Sequence, residues 1–419
     1  MKFQASAQGL QIVDATRQRK GWPKTAIPWC EKAQVSETTL KRFWRGNSIR
    51  AHNFQAICAA VGITDWETIV DWSTHVPPSP FFSQQTEYQE RVYIERPPVE
   101  TRCFEEIHRP GALIRLKAPP QMGKTWLIHR IFQHAKAQGY HVFPLNLLQV
   151  DDATMQNLDA LLRWFCSSVS RRLGIENQVT EIWETASSSN DNCTAYFESC
   201  IFNHLQAPLI IGLENVDRTF QYPTIAADFL GLLRSWYEDA RTLESWQKLR
   251  VILAHSTEAY IRLDANRSPF NIGLPIELPE FTPAQVTNLT QRQGLHWQPE
   301  AIDALMSMVG GHPYLVQQAI ETVVNQPELS LETLLAIAPT QEGPYRNHLR
   351  NLQDTLQQSP SLTYTLQQIV AADEPLSVDR DEGFKLQSIG LIRWCSNKAT
   401  PFCNLYRHYF RDCLSLPHG

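Results

Sequence analysis

A chain of 419 residues with 43% apolar, 19% charged and 10% aromatic side chains has the make-up of packed domains, and it excludes a collagenous, low-complexity or largely disordered protein. At roughly 150 residues per domain, the length predicts about two to four domains. The 38 Lys/Arg against 43 Asp/Glu leave a net charge of −5, so the whole molecule is not a general polyanion binder. That balance is uneven: residues 1–75 hold ten Lys/Arg and six Asp/Glu, a net +4, and the remainder carries −9.

The first residues, Met1-Lys2-Phe3-Gln4, lack the long apolar stretch of a secretory signal, and no window approaches a membrane-spanning run of apolar residues. The expectation is a cytoplasmic protein with no membrane partner. Nine cysteines, an odd number with neither C-x-x-C nor Cys/His ligand spacing, read as reduced and mostly buried. Cys193 and Cys200 read as packing thiols near a helix.

Residues 1–75 form the first predicted domain, all helical. Within it, residues 29–46 read as helix, turn, helix: Ala33 is small where the helices cross, Val35 is a buried turn residue, Ser36 caps the second helix and Leu40 points to the core. Gln34 stands where a turn glycine is usual, and Lys20-Gly21-Trp22 and residues 57–63 suit the flanking helices. Docked on double-stranded DNA, Glu37, Thr38, Lys41 and Arg42 would face the major groove and Arg45 or Arg50 a phosphate. The candidate DNA contacts are thus Ser36, Thr38, Lys41, Arg42 and Arg45; such modules also bind protein, and Glu37 repels phosphate.

Residues 76–92 contain Pro77-Pro78-Ser79-Pro80 and read as a linker. From 93 to 281 strand-length apolar runs alternate with helices, which predicts an α/β domain with a mainly parallel sheet. Candidate strands are 112–116, 140–145, 209–213 and 249–254. The strongest chemical signal follows the first: Ala118-Pro119-Pro120-Gln121-Met122-Gly123-Lys124-Thr125 is a variant of G-x-x-x-x-G-K-[ST] with alanine for the first glycine. A strand before it and an amphipathic helix after it would aim backbone N–H groups at phosphate oxygens, with Lys124 on the β/γ phosphates and Thr125 on Mg²⁺. Alanine at 118 is tolerable if its backbone avoids positive φ.

The strand 209–213 ends in Glu214-Asn215-Val216-Asp217. The usual pair there is Asp-Glu, one carboxylate for the metal shell and one to polarise water; Asn215 cannot accept a proton, so this degenerate Walker B pair predicts slow or absent hydrolysis unless Asp217 substitutes. The next strand ends in His255-Ser256-Thr257, placed to sense a γ-phosphate or to cap the following helix. Arg262 and Arg267 follow, neither singled out as an arginine finger. Thr282-Pro283-Ala284-Gln285 opens a helical lid, 282–325, in which Gly311-His312-Pro313-Tyr314 either lines the base or merely breaks a helix. Residues 326–419 read as several helices and then two short strands about Ser396-Asn397, a winged helix.

Those motifs, with Pro97-Pro98-Val99-Glu100, Gly310-Gly311-His312-Pro313-Tyr314 and Thr400-Pro401-Phe402, resemble the AAA-like ATPase family related to STAND signalling NTPases. The N-terminal segment resembles the helix-turn-helix fused to such domains in vWA-MoxR-associated conflict proteins. The resemblance implies ATP or ADP with Mg²⁺ held between core, lid and winged helix, with switching or oligomerisation as output. The expected nucleotide set is Gln121, Met122, Gly123, Lys124, Thr125, Trp126, His255 and Pro313; Thr125 and Glu214 would hold the metal, and Glu214 and Asp217 would serve catalysis. The expected function is an ATP-binding regulatory switch in a signalling or defence system, with a protein effector and a homo-oligomer as candidate partners. An active DNA-associated AAA+ ATPase, of initiator or transposition-regulator kind, and a nucleotide-bound scaffold are the alternatives.

Overall fold

The computed structural model describes residues 2–45, 47, 49–63, 66, 69, 93–256 and 271–414. The chain divides into two compact units, Met1–Glu90 and Arg91–Gly419. Among the described residues no helix is long and apolar enough to cross a membrane.

In the first unit a two-residue antiparallel pair, β1 (Lys2–Phe3) with β2 (Ile49–Arg50), accompanies α1 (Ala7–Arg19), α2 (Ile27–Ala33), α3 (Glu37–Trp44) and α4 (Ala51–Val61). Its core is aromatic, with Trp29, Leu40, Phe43, Phe54 and Ile57 excluded from solvent. The Trp29 indole donates to the Ile57 carbonyl at 3.1 Å, which satisfies the polar edge of a buried ring. Gln34 closes α2 in the left-handed conformation at φ 49°, the conformation a turn glycine would take. Ser36 caps α3 by accepting from the Thr39 N–H at 3.2 Å. Two sequence expectations shift: Val35 is half-buried, and Lys20-Gly21-Trp22 forms the turn after α1, with Gly21 at φ 68°, instead of part of a helix.

The second unit is built on five parallel strands, β3 (Leu113–Lys117), β4 (His141–Asn146), β5 (Leu209–Glu214), β6 (Leu249–His255) and β7 (Leu274–Glu277), in the order β4-β5-β6-β3-β7. Every residue of β5 and β6 is buried, as expected where helices cover both faces of a parallel sheet. On β5, Leu209, Ile211 and Leu213 join the core of one face while Ile210 joins that of the other, the period of two expected of a strand. One face carries α5 (Val99–Ile107) and α6 (Lys124–Lys136); the other carries α7 (Leu158–Leu173), α8 (Ser189–Tyr196) and α9 (Pro223–Asp239). Gly212 allows α6 to lie close on β5, since a Cβ there would meet Phe132 Cζ at 2.8 Å.

Beyond the sheet come α10 (Pro283–Arg292), α11 (Pro299–Val309), α12 (Pro313–Asn325), α13 (Leu331–Ile337), α14 (Arg346–Gln357), α15 (Pro360–Ala371) and α16 (Arg380–Ile389). An antiparallel hairpin follows, β8 (Ile392–Cys395) with β9 (Lys398–Pro401), and then α17 (Asn404–Cys413). These helices and the hairpin share one apolar core that includes Leu315, Leu349, Leu366, Leu405 and Phe410. Thr282 and Gln285 form the reciprocal capping box at the start of α10. All nine cysteines are free thiols: Cys30 is half-buried, Cys395 and Cys413 are exposed and the others are buried. The thiols of Cys166 and Cys193 lie 3.4 Å apart, a contact made by residues distant in sequence.

Backbone meets backbone where the sheet gives way to the helices. The Phe281 N–H donates to the Gly311 carbonyl at 2.7 Å, and a Cβ on Gly311 would lie 2.1 Å from the Phe281 oxygen. Neither neighbour is a flexible side-chain end, so Gly311→Ala is expected to destabilise the protein by at least about 2–3 kcal/mol, the upper range of overpacking costs. Chemical denaturation checks this, and an unchanged midpoint would show that the pair separates freely.

Candidate nucleotide-binding site

The loop 118–123 leaves the C-terminal end of β3 and enters α6, so the first-turn N–H groups of α6 point outward with the positive end of its dipole. Gly123 caps α6 at φ 94° and Gln121 sits at φ 62°, whereas Ala118 is absent from the positive-φ residues. This is why alanine serves in place of the first glycine. Prolines 119 and 120 carry no N–H, yet they precede the residues from Gln121 to Thr125 that turn into the helix, so the donors nearest the helix end are kept.

Lys124 folds back on the loop: its Nζ donates to the Ala118 carbonyl at 2.6 Å and the Pro119 carbonyl at 2.8 Å. Burial lowers its pKa to about 8, with Asp217 acting in the opposite direction. A desolvated ammonium whose hydrogen bonds go to two carbonyls gains from an anion brought to the loop. Thr125 Oγ1 donates to Glu214 Oε2 at 2.5 Å, which joins the loop to the end of β5 although β6 lies between β3 and β5 in the sheet. A hydroxyl and one carboxylate beside a phosphate loop suit Mg²⁺, which is held by one or two carboxylates together with phosphate oxygens and water. Among the described residues no group of three or more His, Cys, Asp or Glu gathers to form an all-protein metal cage.

Asn215 turns left-handed at φ 56° and its amide donates to Asn146 Oδ1 at 2.8 Å. Both oxygens of Asp217 are engaged by Ser256, Oδ1 by its N–H at 3.1 Å and Oδ2 by its hydroxyl at 2.9 Å. Asp217 therefore ties the ends of β5 and β6 together in this conformation. His255 is buried at the end of β6, paired in register with Lys117. Trp126 is half-buried in the first turn of α6, and Pro313 opens α12. Thr257, Glu258, Arg262 and Arg267 lie outside the described residues.

Two residues at the loop were not found by sequence reasoning. Arg96, only 3% exposed, donates from Nη1 to the Met122 carbonyl at 2.8 Å and lies over the Phe281 ring at 5.6 Å. Its Nε has no partner, and a Cβ on Gly123 would come within 3.1 Å of its Nη2. Glu100 pins this segment, accepting from the Arg96 N–H at 3.0 Å and the Tyr93 hydroxyl at 2.5 Å. A buried guanidinium with a spare donor beside glycine has the chemistry of an anion contact. The other is His312, the residue before α12, buried at 2% exposure with Nδ1 unpartnered. Burial chiefly, then the neighbouring His348, lowers its pKa to about 3, while a hydrogen bond to the Pro120 backbone opposes this. A neutral imidazole thus links α12 to the loop.

The C-terminal helices also reach the loop. Gly390 ends α16 at φ 92°, and a Cβ there would touch Pro119 Cβ at 3.0 Å. Arg393 Nη2 on β8 lies 3.2 Å from Glu280 Oε2, donates to the Phe402 carbonyl and stacks over the Phe402 ring at 4.7 Å. Between loop and hairpin is a cleft of about 240 Å³, with Lys117, Met122, Ser256, Glu280, Arg393 and Phe402 in its wall.

In the first unit, Ser36, Glu37, Thr38, Lys41, Arg42 and Arg45 are all exposed. Lys41 pairs with Glu37 at 2.7 Å on the same face of α3, so that pair offers no net charge to a phosphate. The Ser36 hydroxyl is taken up by capping.

A parallel sheet with a glycine-lysine-threonine loop at the end of β3, and an acidic residue at the end of a strand one removed from it, defines a P-loop NTPase fold. Residues 81–412 match the AAA-like domain family, and the chain belongs to that family. A Walker-type ATPase of Pyrococcus abyssi shares the fold, with a TM-score of 0.53 over 76% of this chain and 96% of that one, at 13% identity. The ORC2 protein of Aeropyrum pernix, in ADPNP–ADP complexes, aligns over 77% of this chain and 94% of its own at TM-score 0.46 and 16% identity. AMPPCP-bound DnaA from Aquifex aeolicus aligns over 70% and 75% at TM-score 0.37 and 13% identity. No curated protein matches the chain.

Proposed function

We propose that this protein is an ATP-binding regulatory switch of the STAND-related kind, in which nucleotide state is relayed from the loop to the C-terminal helices, a winged helix, and to an N-terminal helix-turn-helix module. The observation that carries the reading is the convergence on one short loop of Lys124, Arg96, His312 and Gly390, from four separate elements. A nucleotide entering there changes contacts with the core, α12 and α16 together, and only such differential contact shifts a conformational equilibrium. Gln121 to Thr125 would hold the phosphates, Thr125 and Glu214 would hold Mg²⁺, and His312-Pro313 would follow the base. Hydrolysis is weak or absent, because Asn215 cannot act as a base and Asp217 is bound to Ser256.

The test is ATP binding and phosphate release by the full chain, with and without double-stranded DNA, and small-angle scattering of its apo and ATP forms. Binding with a change in scattering and little turnover is the expected result. Turnover stimulated by DNA and lost in Asp217→Ala would instead mark a DNA-associated AAA+ ATPase. Identical scattering with and without ATP would mark a scaffold. For the N-terminal module, Arg42→Glu together with Arg45→Glu is expected to abolish DNA retention; retention unchanged by both substitutions would place the contact elsewhere.

A further inference from the structure

At the far end of α6 from the phosphate loop, three side chains converge in a way that hydrogen bonding does not satisfy. His108, at the C-terminal cap of α5, and His134, in the last turn of α6, bring their Nε2 atoms to 3.3 Å of each other. The Gln138 amide reaches both, with its Nε2 placed 3.1 Å from His134 Nε2 and 3.3 Å from His108 Nε2. A neutral imidazole nitrogen either donates or accepts, so if one Nε2 donates to the other, the donor has no lone pair left for the amide N–H. Exchanging the amide nitrogen and oxygen, which occupy nearly equivalent positions, lets both imidazoles donate to Oε1 but then sets their two N–H groups against each other. Neither arrangement satisfies all three contacts.

We propose that His108, His134 and Gln138 form a binding site for a divalent transition-metal ion, Zn²⁺ by its geometry, with both Nε2 lone pairs and the Gln138 oxygen directed at the metal and water in the remaining position. For metal–nitrogen bonds of about 2.0–2.1 Å, two ligand atoms of a tetrahedron stand about 3.3–3.4 Å apart. The two imidazole nitrogens are 3.3 Å apart, and with the Gln138 amide exchanged its oxygen takes the position 3.1 and 3.3 Å from them, so that the three atoms trace one face of that tetrahedron. Two further features favour a cation. The C-terminal ends of α5 and α6 meet here, each with its partial negative charge. The Phe104 ring stacks on His134 at 4.3 Å and 9°, holding the imidazole in its orientation. Ten residues of helix, about 15 Å at 1.5 Å per residue, separate His134 from Lys124, so the site is distinct from the nucleotide loop. An ion there would clasp α5 to α6, the two helices that lead away from Arg96 and from the phosphate loop.

The experiment is titration of the full chain with Co²⁺ and Zn²⁺, without nucleotide, read by visible absorption and by thermal unfolding. Expected are one equivalent of Co²⁺ with the intense bands of a tetrahedral site, displaced by Zn²⁺, and a rise in Tm; at ten times Kd the folded-to-unfolded ratio should increase about eleven-fold. His108→Gln and His134→Gln, which keep polar side chains at each position, should each weaken the metal by at least the roughly 10–100-fold that loss of a mere supporting partner costs. Circular dichroism and ATP-dependent stabilisation of the two variants establish that they are folded. No saturable Co²⁺ signal would overturn the proposal, as would metal binding unchanged by both substitutions, which would place the ion on other histidines or thiols.

Discussion

Lys124→Ala is expected to abolish the thermal stabilisation that ATP gives the wild-type protein, while leaving the nucleotide-free protein folded. The lysine sits half-buried with its ammonium on two loop carbonyls and its pKa lowered by desolvation. Removing it would delete the proposed charge-assisted contact to phosphate and free the Ala118 and Pro119 carbonyls. At a ligand concentration of 100 times Kd the wild-type should gain about 2.7 kcal/mol, all of which the variant should lose. Thermal melts with and without ATP·Mg²⁺ check this, and full stabilisation of the variant would reject the loop as the phosphate site.

The second large effect is expected from Asn215→Glu, which restores a general base beside Glu214. If a water is held in line with the terminal phosphate, phosphate release should rise on the order of 10²-fold, the lower end of what a positioned base contributes. The change also has a structural cost. Asn tolerates the left-handed backbone at φ 56° far better than Glu, and the bond from its amide to Asn146 would go. A loss of about 1–2 kcal/mol in stability should accompany the gain in turnover, from the left-handed residue alone. Turnover as low as in the wild-type, in a variant that still binds ATP, would show that the missing base is not what limits hydrolysis.

The parts of this molecule that sequence discloses are those set by neighbours along the chain. The capping box of Thr282 and Gln285, the Ser36 cap, the left-handed Gln34 and the strand, loop and helix around Gly123 are all decided within a few residues. Strand β7 escaped because four residues containing Pro275 do not read as a strand; it is tolerated at the sheet's edge, where a missing N–H costs no central ladder bond. Arg96 escaped because the Met122 carbonyl that orients it lies 26 residues on, and nothing in Arg-Pro-Pro distinguishes it from a surface arginine. The Thr125–Glu214 bond spans 89 residues, yet both partners were legible, since each stands at the end of a recognisable strand or loop. Asp217 was legible as an acid but its engagement with Ser256 was not, because that depends on the order of strands in the sheet.

The two prolines of the phosphate loop bear on the speed and cost of ligand capture. Pro119 and Pro120 restrict φ at consecutive positions, and Gly390 and His312 brace the same residues from outside. A loop held this stiffly has few conformations to surrender when phosphate arrives, so little of the binding energy is consumed in ordering it. The freedom given up at Gln121 to Thr125 is correspondingly small, and what remains to move is the rim supplied by α12 and α16. Ligand capture should therefore show a modest entropic penalty at the loop, with calorimetric and hydrogen-exchange changes concentrated in the helices that press against it.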